Sequence, residues 1–116
     1  PSDIELGRAA AEEIIASGNV PDAIFSSSDF AALGAMQVLK GKFSIPDDIA
    51  IVGFANEPFT SFVEPAMSTV NQHGRDMGRL AAKAFLECIA NRKDYVSRQI
   101  VLQPELIVRA SSKKLK

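Results

Sequence analysis

The chain has 116 residues, 47% of them hydrophobic, with 13 basic and 14 acidic side chains and a formal net charge of −1. That length holds one domain at most, with a modest core. The even charge balance excludes a nucleic-acid-binding surface in this stretch, because phosphate binding needs clustered Lys and Arg. The single Cys88 excludes an internal disulfide. No apolar run reaches membrane-spanning length, and Pro1 opens no signal-peptide pattern. With no initiator Met, the chain is expected to be a fragment.

Pro1–Leu6 reads as a polar lead-in, and Gly7–Ser17 as a helix with Leu6, Ala10 and Ile14 on one stripe. Ser17-Gly18-Asn19 stops it. Pro21-Asp22 leads into a short strand, Ala23–Ser26. Ser28 or Asp29 can cap the next helix, Phe30–Lys40, which Gly41 closes. Ile49–Gly53 is an apolar run between turn formers, as suits a strand buried on both faces of a parallel sheet. Ligands of such sheets bind beyond the carboxyl ends of the strands, which directs attention to Phe54–Glu57.

Glu57–Ala66 is irregular, and Met67–Gln72 is extended. Asp76–Asn91 carries the strongest helical pattern, with Met77, Leu80, Ala81, Ala84, Phe85, Cys88 and Ile89 on one face. Arg98–Gln103 and Glu105–Arg109 are strand-like runs hinged at Pro104. Ala110–Lys116 reads as a frayed basic tail. Alternating helices and strands with short links predict parallel α/β layering.

Four blocks carry a resemblance: Pro21–Met36 (PDAIFSSSDFAALGAM), Ile45–Phe54 (IPDDIAIVGF), Pro65–Gln72 (PAMSTVNQ) and Pro104–Ser111 (PELIVRAS). Together they resemble the lactose-repressor family of bacterial transcription regulators, in the C-terminal part of its effector-binding region. The resemblance implies a three-layer, parallel-sheet lobe of the periplasmic-binding-protein-like (type I) fold, incomplete in this chain. Residues 1–70 and 104–111 would form the C-terminal lobe, and 71–103 would belong to the N-terminal lobe of the parent. The family's helix-turn-helix and hinge helix have no counterpart here. Operator DNA would therefore be a partner only through a separate N-terminal domain.

The same resemblance marks candidate effector-binding positions. Ser28 and Asp29 stand where the family commonly has Asn-Asp, although either side chain can equally cap the helix. For Asp29 capping is the preferred reading. Ala55 and Asn56 stand where Asp-Asp or Asp-Asn is common, so the usual effector-gripping carboxylate is missing at position 55. Asn56 and Glu57 are possible replacements, or simply shape the turn before Pro58. Gln72 resembles a cleft-lining residue, with solvent exposure as the plainer reading. Ser2 falls where sugar-responsive members place an aromatic ring.

Helix Phe30–Lys40 is apolar around most of its circumference, more than packing on one sheet requires. A subunit interface through Phe30, Leu33 and Met36, extended by Phe59, Phe62 and Val63, is expected. The stripe of Asp76–Asn91, short of its family partner, is expected to dock on its own lobe or a neighbouring copy.

The leading functional reading is a module that senses a small molecule, of the sugar or sugar-related class, and dimerises, in a cytoplasmic, DNA-binding regulator, without enzymatic activity, cofactor, metal or membrane partner. A transport-associated sugar-binding protein of the same fold is the alternative. A flavodoxin-like enzyme or receiver with an acidic Mg²⁺ pocket at Asp29, Asp47 and Asp48 ranks below both, because Asp47 and Asp48 precede their strand. His73 has no partner at triad or metal spacing and reads as a surface or helix-start residue. Cys88 reads as a small core hydrophobe. Lys113, Lys114 and Lys116 read as a solvated tail.

Overall fold

The computed structural model describes residues 2–114. Helix α1 (Asp3–Ser17) opens on a capping box: Ser2 Oγ accepts from the Glu5 N–H, and Glu5 Oε2 accepts from the Ser2 N–H. The helix thus begins at Asp3 rather than Gly7, which corrects the expected lead-in; Pro1 lies outside the described residues. Helix α1 crosses helix α2 (Asp29–Leu39) with backbone against backbone. A Cβ on Gly7 would lie 2.0 Å from the Ala31 carbonyl oxygen, and one on Gly34 2.0 Å from that of Ile4. Only residues without a Cβ allow that approach.

The crossing explains the wide apolar surface of α2. One side packs toward the sheet and another is covered by α1. Met36, expected at a subunit interface, is 2% exposed and sits in the core with Leu39, Ile49, Ile51 and Met67. For Met36 that expectation is corrected, since its side chain is met within the chain. Leu33, Phe59 and Val63 are half-buried against the same core. Phe30 and Phe59 pack ring against ring with centroids 5.2 Å apart, while Phe62 is 86% exposed.

Strands β1 (Ala23–Phe25) and β2 (Ala50–Val52) pair in parallel, Ile24 opposite Ile51. Strand β3 (Thr69–Asn71) continues alongside β2 through a parallel bridge between Val52 and Ser68. Strand β4 (Glu105–Ile107) runs antiparallel to β3. Beyond β4 the chain does not fray. Ser111 is fully buried, and its hydroxyl donates to the Ile51 carbonyl and accepts from the Ser68 N–H. Lys114 Nζ reaches the Asp22 carbonyl, and Lys116 lies outside the described residues. Over Ala110–Lys114 the frayed tail is therefore replaced by a clasp across β2 and β3.

Helix α3 (Gly74–Ala90) forms where periodicity placed it, yet none of its residues is fully buried. Phe85 is 64% exposed, and Met77, Leu86 and Ile89 are also exposed. Of the two covers expected for this stripe, its own lobe or a neighbouring copy, its own lobe is not the one, since α3 stands clear of the α1–α2 pair and the strands. Cys88 is half-buried on this helix rather than in a core. Arg98–Gln103, expected as a strand, has no ladder partner among the described residues. Instead Arg98, Ile100 and Leu102 line a shallow hollow with Met77, Leu80, Ala81 and Ala84, and Arg98 pairs with Glu87. The radius of gyration is 18.6 Å, against roughly 13 Å for a compact chain of this length. Elongation of this degree fits a lobe with one arm extended from it.

Candidate functional site

The carboxyl ends of β1, β2 and β3 meet at one edge, and hydrogen bonds between side chain and backbone join them. Ser28 ends the β1 connection and caps α2: its Oγ accepts from the N–H groups of Phe30 and Ala31 at 3.2 and 3.4 Å. It also donates to Asp3 Oδ2 at 3.4 Å, which brings the start of α1 to the same edge. Ser2 is committed to its own capping box.

Asp29 does not cap α2. Its carboxylate is 1% exposed and turns toward the sheet. Oδ1 accepts from Thr69 Oγ1 at 2.7 Å, and Oδ2 accepts from the Glu57 N–H at 2.7 Å. Thr69 Oγ1 in turn accepts from the Asn56 N–H at 3.1 Å. A Cβ at position 53 would come within 2.2 Å of Asp29 Oδ1, so Gly53 is what lets the carboxylate reach this place. The capping preference for Asp29 is thus corrected: a buried carboxylate repays its desolvation best by accepting several donors.

Those bonds hold an unusual backbone. Ala55 has φ 120° and Asn56 φ 57°. Non-glycine residues in such conformations cost on the order of 1–3 kcal/mol each and persist only where their surroundings over-determine them. Here the Ala55 N–H donates to the Val70 carbonyl, and Asn56 and Glu57 are held through Thr69 and Asp29. Arg109 adds a further tie. Its Nη1 donates to Thr60 Oγ1 at 2.8 Å and to the Met67 carbonyl at 2.9 Å, and its Nη2 donates to Asn56 Oδ1 at 3.3 Å.

Among the sequence-derived candidates, Ser28, Asp29, Ala55 and Asn56 come together at this edge. Gln72 follows the end of β3 and is half-buried. His73 adopts a left-handed conformation before α3 and donates its N–H to Asn71 Oδ1. Asp48 accepts from the Ser44 N–H at the opposite end of β2, away from Asp29. Sequence reasoning missed Thr60, Thr69 and Arg109. The only advance signal for Arg109 is a lone cation closing the apolar run Leu106–Val108. Separately, an apolar groove of about 420 Å³ runs between α1 and β1, lined by Leu6, Ala10, Ile14, Ile24 and Phe25, with Asp3 and Ser28 at its rim.

Comparison with known proteins agrees with this architecture. The periplasmic binding protein-like domain family matches residues 2–112. The HTH-type transcriptional repressor PurR of Vibrio campbellii is 36% identical over 107 residues, which cover 91% of this chain and 32% of the relative. A lactose operon repressor of Rhizobium radiobacter is 36% identical over 111 residues, covering 95% of this chain and 96% of that one. The structure of a transcriptional regulator CelR–cellobiose complex superposes with a TM-score of 0.84 at 33% identity, over 94% of this chain and 33% of that chain. The chain spans about a third of the length of the PurR and ExuR relatives it matches. Its fold, its four sequence blocks and these likenesses agree: the chain belongs to the lactose-repressor family, within the family's periplasmic binding protein-like domain.

Proposed function

We propose that this chain is the effector-sensing and dimerisation part of a DNA-binding transcription regulator. The observation that carries the reading is the braced loop Gly53–Glu57, where two successive strained residues are held at the common carboxyl edge of three strands. Strain of this kind clusters at ligand sites. The relatives' names, all repressors, favour a regulator over a transport protein. The neighbouring cellobiose complex supports a sugar as the ligand class.

In this reading Ser28, Asn56 and Gln72 contact the effector, and Ala55 offers it no carboxylate. Asp29 acts one step back, by holding the loop, and Ser2 acts through the start of α1. Residues 71–103 cross into the second lobe, where the exposed face of α3 finds its partner. Effector binding between the lobes biases their closure and so the placement of DNA-binding arms supplied by another part of the protein. The protein works in the cytoplasm, as a homodimer, with no enzymatic step. Phe30 and Phe62 remain exposed for the dimer contact, with Leu33, Phe59 and Val63 behind them.

The test is a thermal-shift screen of sugars and nucleosides on the full-length protein. A ligand at 100 times its Kd stabilises the native state by about 2.7 kcal/mol. Any hit must also change operator affinity, and operator must change effector affinity by the same factor. A hit without that reciprocal effect would favour a transport-type binding protein instead.

A further inference from the structure

Residues 72–104 leave the lobe and return to it through a neck of two chain segments. The last rung of the β3–β4 ladder pairs Asn71 with Glu105. Beyond that rung, among the described residues, one hydrogen bond reaches back to the lobe: the His73 N–H donates to Asn71 Oδ1 at 2.9 Å. The outgoing segment turns at His73, whose φ of 55° and ψ of 48° are left-handed. A residue with a Cβ holds that conformation at a cost that glycine escapes. Ala55 and Asn56, also at positive φ, are tied into β3 through their own N–H groups, whereas His73 has only the Asn71 side chain two residues before it. Its carbonyl accepts from the Met77 N–H, so the start of α3 follows any turn of the His73 backbone. The returning segment is stiffer, because Pro104 fixes its own φ.

The penalty of the left-handed turn and the gain from one hydrogen bond are similar in size and opposite in sign. Near-balance of this kind makes an element bistable, and hinges are built from a few element-terminal residues that absorb a change of φ and ψ. We propose that His73 is the pivot between this lobe and the arm that carries α3, and that Asn71 is its latch. With the bond made the arm takes one direction, and with the bond broken it takes another. The proposal rests on the effector reading above, in which residues 71–103 cross into the second lobe. It adds the device that sets how readily the two lobes close.

The experiment is a spin-label distance measurement on the full-length protein without ligand. Lys42→Cys labels the lobe and Lys83→Cys labels α3, both at exposed positions, with Cys88→Ser to leave no third thiol in this stretch. Labelled protein is diluted into unlabelled protein, so that each dimer carries one labelled protomer. Wild type is expected to show one distance. Asn71→Leu, which removes the acceptor, is expected to raise a second distance about fivefold. His73→Val is expected to do the same from the backbone side, because a β-branched residue resists positive φ. Asn71→Asp keeps the acceptor and is expected to keep the wild-type distance. Adding His73→Gly to Asn71→Leu is expected to recover most of it, since glycine takes the turn without a latch. All variants are expected to retain native circular dichroism.

One unchanged distance in both Asn71→Leu and His73→Val overturns the pivot and leaves the effector reading standing. So does a second distance that appears equally in Asn71→Asp, or one that His73→Gly fails to reverse. A broad, featureless distribution in wild type itself means that the arm is seated on no second lobe, and overturns the effector reading and the pivot together.

Discussion

Asp29→Ala is the sharpest perturbation of the site's scaffold. The carboxylate is almost fully buried and receives the Thr69 hydroxyl and the Glu57 N–H, each at 2.7 Å. Hydrogen bonds to a charged group contribute about 1.5–3 kcal/mol each, and a buried donor left unpaired costs about 1–3 kcal/mol. Losing both is expected to cost about 3–5 kcal/mol, a large share of the 5–15 kcal/mol typical of a domain. Thr69→Val removes one of these bonds and also leaves the Asn56 backbone N–H without the hydroxyl that accepts from it. A double-mutant cycle between the two positions is expected to show coupling of about 1–3 kcal/mol, as for residues sharing one network. Urea denaturation followed by circular dichroism provides the measurement. A loss below about 1 kcal/mol for Asp29→Ala, or strict additivity with Thr69→Val, would refute the view that this carboxylate braces the loop.

Other predictions follow from single contacts. Ala55→Gly relieves the φ of 120° and is expected to raise stability by about 1 kcal/mol, read as a higher midpoint in urea. Gly34→Ala drives a Cβ to 2.0 Å from the Ile4 carbonyl oxygen; it should cost about 3 kcal/mol, since backbone cannot step aside as a side chain does. Phe62→Glu alters a side chain that is 86% exposed, so the lobe's stability should hold within about 0.5 kcal/mol while sedimentation of the full-length protein moves from dimer to monomer. Ala55→Asp should change the order of preferred ligands in a calorimetric panel, and identical profiles would remove position 55 from the site.

Local chemistry was enough for most elements. Ser28 caps α2 and the apolar run before Gly53 makes a buried strand, because each signal acts within a few residues of itself, whereas the Ser2-x-x-Glu5 capping box that starts α1 was passed over as a polar lead-in. Periodicity likewise located α3, although it could not say what would cover its face. The four blocks pointed to the family, and Gly53–Glu57 pointed to the edge where the candidate site lies.

Long-range geometry decided the rest. Asp29 reads as a helix cap in any local window, and only the meeting of three strand ends turns its carboxylate onto Thr69 and Glu57. Met36 was indistinguishable from an interface residue until α2 was seen packing it against Leu39, Ile49, Ile51 and Met67. Ser111 lies in a polar, basic tail by composition, yet it is fully buried because β2 and β3 leave a carbonyl and an N–H that its hydroxyl satisfies together. The sequence by itself located α2, α3 and the strands β1 to β4 and pointed to the sheet edge of the candidate site, through interactions a few residues long. Which side chains brace that site was settled only by the tertiary structure, because the hydrogen bonds that join Asp29 to Thr69 and Asn56 to Arg109 close 40 and 53 residues of chain.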